Sequence, residues 1–329
     1  LTPDMFQAAT KDGVDRRAAS GLVMDGVHYR SECTTRAGTY PFCDELVLPS
    51  DALAHTLVGG LSYMMLMQRF PDLAEQRLID YVPVCAAVHG WDNVTFAHAL
   101  NMTTGHYGAR AFGVDENSAN MLRFFQMESH FGKLRLACSQ FYLQANPGFV
   151  WVYQSSTSYL LGAALNAFYQ QQEGAEADLY RDLVVRDLWQ PLGLSPLLFS
   201  SLRSADDIQH PHVFNGLWLT PHDIALLSKW LGPDMAQVQQ QSVLDEASYQ
   251  AAMQRRPEDR GVAMGRSFRT DRDLYHYKNG FYARNVATLL GCAADTWVPY
   301  LSSGNGSVIL LFPNGITSVS YTHLRAHET

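Results

Sequence analysis

The sequence predicts an α/β fold of the α+β type, in which both ends of the chain contribute to one antiparallel sheet and a mainly helical region lies between them. Apolar runs flank Asp25-Gly26, a dipeptide typical of a tight hairpin turn. Pro-Asn-Gly at 313–315 follows another apolar run and predicts a second hairpin. Apolar residues at helical spacing in 53–64 and 160–168 predict buried helices between the two hairpins.

Composition excludes several classes of protein. The chain has 329 residues, of which 47% are hydrophobic and 17% charged, as expected for a globular protein with a substantial core. A net charge of -8 and the lack of any basic run argue against a nucleic-acid partner. No apolar stretch reaches the roughly 18 residues that a membrane-spanning helix needs. Because the chain begins at Leu1, we expect a fragment or processed product whose signal peptide is not visible.

The five cysteines show no spacing typical of a metal site. Cys33 and Cys43 bracket a short loop, and they can form a disulfide if the protein is exported or remain thiols if it is not. Cys85, Cys138 and Cys292 are expected to be buried thiols. His210-Pro211-His212 has no third ligand at a suitable spacing and is interpreted as a loop. We therefore expect neither a metal nor a cofactor.

The stretch 45–70 predicts a strand, a sharp turn and a long apolar helix. Ser50 is expected to cap this helix with its hydroxyl, and Asp51 to favour the positive end of the helix dipole. Gly59-Gly60 weakens an isolated helix by about 1 kcal/mol per residue, so the pair predicts close packing. The helix is therefore predicted to be central and buried, with its first turn open to a site.

That first turn reads L-P-S-D-A-L-A-H-T over 48–56. It resembles the nucleophile turn of the serine β-lactamase and penicillin-binding-protein superfamily, in particular its class C and esterase-type members. In that superfamily a serine and a lysine three residues later form an S-x-x-K dyad, in which the amine takes the hydroxyl proton. On this pattern Ala52 occupies the nucleophile position and His55 the lysine position. None of the four lysines follows a serine at this spacing, so the resemblance implies a degenerate member whose dyad is replaced.

Further segments carry the same resemblance. W-D-N-V-T at 91–95 resembles a W-x-x-V-T segment; there Asn93 or Thr95 is expected to cap a short helix that Gly105 ends. Pro-Gly at 147–148 precedes Tyr153 and Ser155, which stand at the Y-x-N motif. Segments 188–195 and 215–225 resemble two structural turns of the superfamily.

The resemblance implies roles for the residues at these positions. Tyr153 would assist proton transfer, although a core tyrosine is the alternative from the residues alone. Ser302-Ser303-Gly304 takes the place of a K-T-G or H-x-G strand motif and lacks its basic residue. Ser155 and 302–304 are thus the expected ligand-binding positions, beside catalytic positions at Ala52, His55 and Tyr153.

The resemblance covers about residues 20–317, which we expect to form one β-lactamase/transpeptidase-like domain within 1–317. Its sheet part would comprise about 20–48 and 260–317, and its helical part about 50–259. Within the helical part, Ser156 or Thr157 is expected to cap one long helix. Residues 318–329 resemble a translated adapter sequence found at the ends of unrelated metagenome-derived proteins. We expect this segment to be a non-native tail that replaces a truncated C-terminus.

The favoured function is a catalytically impaired serine-hydrolase homologue that keeps a cleft for a small molecule or peptide. The reason is the combined replacement at Ala52, His55 and Ser302, since removing the nucleophile of a comparable serine enzyme costs roughly 10⁶-fold in kcat. The resemblance also implies a bacterial protein that is periplasmic or exported. The residues do not define the ligand or the oligomeric state.

Two other functions remain open. One is an active esterase, β-lactamase or D-amino peptidase with a rebuilt site, in which His55 is the base, Tyr153 assists and Ser50 or Thr56 attacks. The other is an interaction protein without a functional cleft, which a filled pocket around Ala52 would favour.

Overall fold

The computed structural model describes residues 17–35, 38–232, 237–238, 241–264, 274–304 and 307–322. Its strands are β1 (Arg17–Met24), β2 (Val27–Arg30), β3 (Cys33–Thr35), β4 (Gly38–Tyr40), β5 (Leu48–Pro49), β6 (Trp218–Leu219), β7 (Gln237–Val238), β8 (Gln241–Ser242), β9 (Val262–Ala263), β10 (Tyr275–Lys278), β11 (Phe281–Asn285), β12 (Trp297–Ser302), β13 (Val308–Leu311) and β14 (Thr317–Thr322). The main sheet has eight strands in the order β2-β1-β14-β13-β12-β11-β10-β9, and neighbouring strands are antiparallel.

Helices surround this sheet. They are α1 (Leu61–Arg69), α2 (Phe96–Leu100), α3 (Ala119–Gln126), α4 (His130–Ser139), α5 (Ser155–Glu173), α6 (Pro221–Trp230), α7 (Glu246–Met253) and α8 (Ala287–Leu290). Two π-helical segments span His55–Gly60 and Leu179–Trp189, and the first runs directly into α1. Short 3₁₀ turns are Cys43–Glu45, Pro71–Glu75, Leu78–Asp80, Pro83–Ala87, Pro196–Phe199 and Pro257–Asp259. Within the described residues, no helix has the length and apolar character required to cross a membrane.

The predicted fold class is confirmed. The two ends of the chain meet in the sheet because β1 pairs with both β2 and β14. The hairpin between β1 and β2 turns at Asp25 and Gly26, whose φ angles are 49° and 76°, and this left-handed backbone explains the Asp-Gly pair. Helix α6 packs on β1 and β14, while α7 packs on β10, β11 and β12.

The strand β14 extends past residue 317, where the sequence predicts that the native chain ends, and the non-native origin of 318–329 stays a prediction. Residues 318–322 continue this strand between β1 and β13, deep within the order of the sheet. Val319 and Tyr321 are buried, and the Tyr321 hydroxyl donates to the carbonyl of Pro221 at 3.4 Å. Alternation of small polar and apolar residues is typical of a strand with one buried face. Residues 323–329 of the expected tail lie outside the described residues.

The central helix packs as closely as its glycines predicted. A Cβ atom on Gly59 would lie 2.9 Å from Val213 Cγ1, and one on Gly60 would lie 3.2 Å from the carbonyl oxygen of Asn279. Every residue from Leu53 to Leu66 is buried. The two glycines therefore allow the helix to contact both the loop that contains Val213 and the hairpin between β10 and β11.

The cysteines differ from the expectation at three positions. Cys33 pairs with Cys43, and Cys85 pairs with Cys138, so the latter two are not thiols. Cys292 is free but exposed rather than buried. The fold brings the Pro83–Ala87 turn against α4, where the Cα atoms of Cys85 and Cys138 are 5.1 Å apart, a separation suited to a disulfide. Pairing across 53 residues depends on tertiary structure and leaves no local signal.

We predict that Gly162→Ala lowers the free energy of unfolding by about 1–3 kcal/mol through overpacking. A Cβ atom on Gly162 would lie 2.3 Å from Val213 Cγ2. Urea denaturation of the wild type and the variant would measure the cost. The Val213→Ala background should reduce that cost, and an equal cost in both backgrounds would show that this contact is not responsible.

Candidate functional site

The turn before the central helix is fixed by Ser50. Its amide donates to the Leu217 carbonyl at 3.0 Å, and its Oγ accepts from the Leu217 amide at 3.2 Å. The strands β5 and β6 pair beside this contact. The expected role of Ser50 as a side-chain helix cap is therefore wrong, because its hydroxyl satisfies a buried backbone amide of another segment.

Directly after Ser50, the chain reaches the wall of a cavity. Asp51 has a left-handed backbone with φ of 41°, which Asp tolerates better than most residues. This conformation directs the chain from β5 into the helix. Ala52 follows, and its amide donates to the carbonyl of Ser303 at 3.3 Å. The helix start and the end of β12 thus form adjacent walls.

The cavity has a volume of about 210 Å³. Its aromatic lining residues are Phe112, Phe125, Tyr153, Phe214 and Tyr282. Its acidic lining residues are Asp51 and Glu116. The remaining lining residues are Ala52, Gly113, Asn117, Ser155, Asn215, Ser303 and Gly304. Five positions singled out from the sequence are therefore brought together here: Ala52, Tyr153, Ser155, Ser303 and Gly304.

Two expected site residues do not line the cavity. His55 is buried in the interior, where its Nε2 lies 3.1 Å from the carbonyl of Leu100. Burial lowers the pKa of His55 to about 4, against the opposing effect of that hydrogen bond, so the imidazole is neutral at pH 7. Ser302 ends β12, and its Oγ accepts from the amide of Gly304 at 3.2 Å. This hydrogen bond stabilises the turn beside the cavity.

The rebuilt active site that the sequence left open, with His55 as base and Ser50 or Thr56 as nucleophile, lacks the hydrogen bonds that it would need. Thr56 Oγ1 donates to the carbonyl of Gly280 at 2.6 Å, and Ser50 Oγ is bonded to Leu217. Within the described residues, His55 has no hydrogen bond to a hydroxyl. A general base must come within about 3 Å of the proton it abstracts, so His55 is not positioned to activate either residue.

Tyr153 lies at the cavity with an unusual environment for its hydroxyl. The residue is only 8% exposed, and Oη has no hydrogen-bond partner in the described part of the chain. Burial raises the pKa of Tyr153 strongly, and the carboxylates of Glu116 and Asp51 raise it further, although the nearby hydroxyls of Ser155 and Ser158 oppose them. The phenol is therefore protonated over the whole range of physiological pH.

Ser155 is held by Glu116. The Ser155 amide donates to Glu116 Oε2 at 2.9 Å, and the Ser155 hydroxyl donates to Oε1 at 2.5 Å. Burial raises the pKa of Glu116, while the two bonds from Ser155 lower it. Helix α5 begins at this serine and its N-cap is Gln154, so the expected cap at Ser156 or Thr157 is wrong by two or three residues.

Glu116 was missed by the sequence reasoning. Its neighbour Asp115 is buried and accepts hydrogen bonds from the amides of Gly108 and Ala109 at 2.9 and 2.8 Å and from Gln154 Nε2 at 2.8 Å. These bonds hold the loop against the start of α5 and thereby place Glu116 at the cavity. The acidic pair Asp115-Glu116 stands before a helix cap in the sequence, but no sequence motif indicates that it contacts Ser155.

The other motifs are structural. Thr95 caps α2, as one of the two expected caps, and His98 completes the capping box through a hydrogen bond from the Thr95 amide to Nδ1. The helix ends at Leu100, before the expected stop at Gly105, because the chain turns at Asn101. Thr220 and Asp223 form a capping box at the start of α6. His210 and His212 are buried in a loop, and the described residues contain no cluster of ligands suited to a metal ion.

Comparison with known proteins identifies the fold. No family model matches the sequence, and no curated protein matches it. The solved structure of EstCE1, a hydrolase with promiscuous acyltransferase activity, is 16% identical and has a TM-score of 0.66, covering 93% of this chain and 89% of that chain. The chain has a β-lactamase-like fold. A Bacteroides dorei protein assigned as a β-lactamase has a TM-score of 0.64 at 12% identity, covering 94% of this chain and 86% of that one.

A third structure, from Bacillus anthracis and assigned as a 6-aminohexanoate-dimer hydrolase, has a TM-score of 0.65 at 12% identity, covering 93% of this chain and 74% of that chain. At such identities the likeness concerns the fold. The expected β-lactamase/transpeptidase-like architecture is thus confirmed, and these neighbours of the fold include hydrolases of several kinds.

We predict that His55 makes stability depend on pH between about 4 and 6.5. Its pKa is lower in the folded state than in the unfolded state, so the unfolded chain binds more protons in this window and stability rises with pH. His55→Gln should reduce the slope of unfolding free energy against pH by about 1 kcal/mol per pH unit near pH 5.5. Denaturant titrations of both proteins at several pH values would measure this. Identical slopes in the two proteins would show that His55 does not cause the pH dependence. Above pH 7 the curves of unfolding free energy against pH should run parallel for the wild type and the variant.

Proposed function

We propose that this protein is a homologue of the serine hydrolases that binds a small molecule or peptide in its cavity and has lost the acyl-transfer chemistry. One observation carries the proposal: the residue at the nucleophile position, Ala52, lines an open cavity of about 210 Å³. A methyl group cannot attack a carbonyl, whereas the space for a ligand remains.

The rest of the lining supports the loss of chemistry. The hydroxyl and the amide of Ser155 both donate to Glu116, and these two bonds hold the start of α5 against the loop that carries this carboxylate. Of the described residues that line the cavity, none is a lysine, arginine or histidine. The lining therefore lacks a cationic group that could lower the pKa of a hydroxyl or bind a substrate carboxylate.

Charge stabilisation also requires free donors. Acyl-transfer enzymes direct backbone N–H groups at the oxyanion that develops beside the nucleophile. The Ala52 amide instead donates to Ser303 within the protein. Stabilising an oxyanion here would require breaking that bond, which supports a binding function over a catalytic one.

The alternatives have less support. An active site based on His55 needs a hydroxyl near its imidazole, and the hydroxyls of Ser50 and Thr56 bond elsewhere. An interaction protein without a cleft would be favoured by a filled pocket around Ala52 and Tyr153, and both residues line open space.

We predict that the protein forms no adduct with fluorophosphonate or penicillin probes in intact-mass analysis, because no activated nucleophile lies in the cavity. An Ala52→Ser, His55→Lys double variant restores the dyad residues and is expected to become labelled. An adduct on the unmodified protein would overturn the proposed loss of chemistry, and peptide mapping would then name the nucleophile.

A second prediction tests the cavity without catalysis. In a Cys292→Ser background, which removes the exposed free thiol, Ala52→Cys should react with iodoacetamide in the native state and gain one carbamidomethyl group. The Cys292→Ser protein is the matched control and should gain none. Protection of the introduced thiol in the folded protein, with labelling after denaturation, would show that the cavity is closed to ligands.

A further inference from the structure

The cavity has an uneven distribution of charge. Asp51 and Glu116 line it, and no cationic side chain of the described residues does so. The carboxylate of Glu116 receives two hydrogen bonds from Ser155, yet a carboxylate has about four lone-pair positions, so it retains capacity for another donor. A ligand that brings a negative group to this lining would meet repulsion from both acids.

A separate observation concerns an unsatisfied oxygen. Tyr153 lines the same cavity, is only 8% exposed, and its Oη has no hydrogen-bond partner in the described part of the chain. Leaving a buried polar group unpaired costs about 1–3 kcal/mol, and such groups in native proteins usually have a partner. A ligand with N–H donors would satisfy this oxygen together with the adjacent carboxylates.

The aromatic rings suit the same kind of ligand. Phe214 is buried, while Phe112 and Phe125 are exposed where the cavity meets solvent. Ring faces attract cations and pack well against methylene groups. They therefore favour an organic cation with an apolar body over a hydrated metal ion.

We propose that the cavity binds the primary ammonium group of an organic amine, with Glu116 and Asp51 providing the negative charge, Tyr153 Oη accepting one N–H, and the phenylalanine rings packing against the carbon skeleton. This inference rests on the proposed binding function and names the chemical class of its ligand. It also accounts for the missing cation at 302–304, because an ammonium ligand gains nothing from a basic residue there.

The test compares three probes of one shape on the full chain at pH 7: benzylamine, which is protonated, benzyl alcohol, which is neutral, and benzoate, which is anionic. Calorimetric titration should give benzylammonium an affinity at least tenfold higher than either other probe. Glu116→Gln keeps the size of the side chain and one acceptor oxygen for Ser155, and it should weaken benzylammonium binding about tenfold.

Asp51→Asn is a second variant, chosen because Asn also tolerates a left-handed backbone. Asp51→Asn should weaken benzylammonium binding severalfold, and it provides the test if Glu116→Gln does not fold. Tyr153→Phe removes the acceptor oxygen and should weaken benzylammonium binding while leaving benzyl alcohol unchanged within about twofold. Glu75→Gln removes one charge from a position outside the cavity lining, and binding should be unaffected.

Equal affinity for the three probes, a preference for benzoate, or unchanged binding in both acid variants would overturn the inference. The reaction of Ala52→Cys with iodoacetamide separates this failure from that of the proposed function. If the thiol is labelled and benzylammonium does not bind, the cleft exists and only its assignment to amines is wrong. If the thiol is protected and no probe binds, the proposed binding function fails as well.

Discussion

The hydrogen bonds at the start of the central helix hold the site in place. Ser50 exchanges two bonds with Leu217, the Ala52 amide donates to Ser303, and the Thr56 hydroxyl donates to Gly280. These partners belong to three segments that are far apart in the chain. Because buried backbone groups must be paired, a shift of the helix start would break contacts with all three segments at once. The position of Ala52 in the cavity wall follows from this constraint.

The same constraint separates the scaffold from the chemistry. The bonds that fix the turn are made largely by backbone groups and by two hydroxyls outside the cavity, so they do not depend on the side chain at position 52. The helix then packs through Gly59 and Gly60, which permit close approach to Val213 and Asn279. The walls of the cavity can thus keep their arrangement whichever small side chain stands at position 52.

Beneath the cavity lies a cluster of aromatic residues that explains its apolar character. The rings of Tyr277 and Tyr282 are 4.8 Å apart, those of Trp151 and Tyr277 are 5.6 Å apart, and His55 stacks near Tyr277 at 6.4 Å. In these surroundings charged groups are disfavoured, so His55 is neutral and Tyr153 is protonated. Glu116 reaches this region from outside, on the loop that Asp115 holds, and brings the negative charge with it.

The sequence by itself determined the α+β class, the two hairpins and the central helix, because turn residues and apolar spacing are local. The grouping of Ala52, Tyr153, Ser155, Ser303 and Gly304 at one site was implied only by the resemblance of their short motifs to those of a known superfamily. Tertiary structure decided the rest. The Cys85–Cys138 pair, the bond between Glu116 and Ser155, the partner of Ser50 and the burial of His55 all depend on segments that meet only after folding. The strand at 317–322 belongs here too, since weakly apolar residues become a central strand only when neighbours on both sides satisfy their backbone groups.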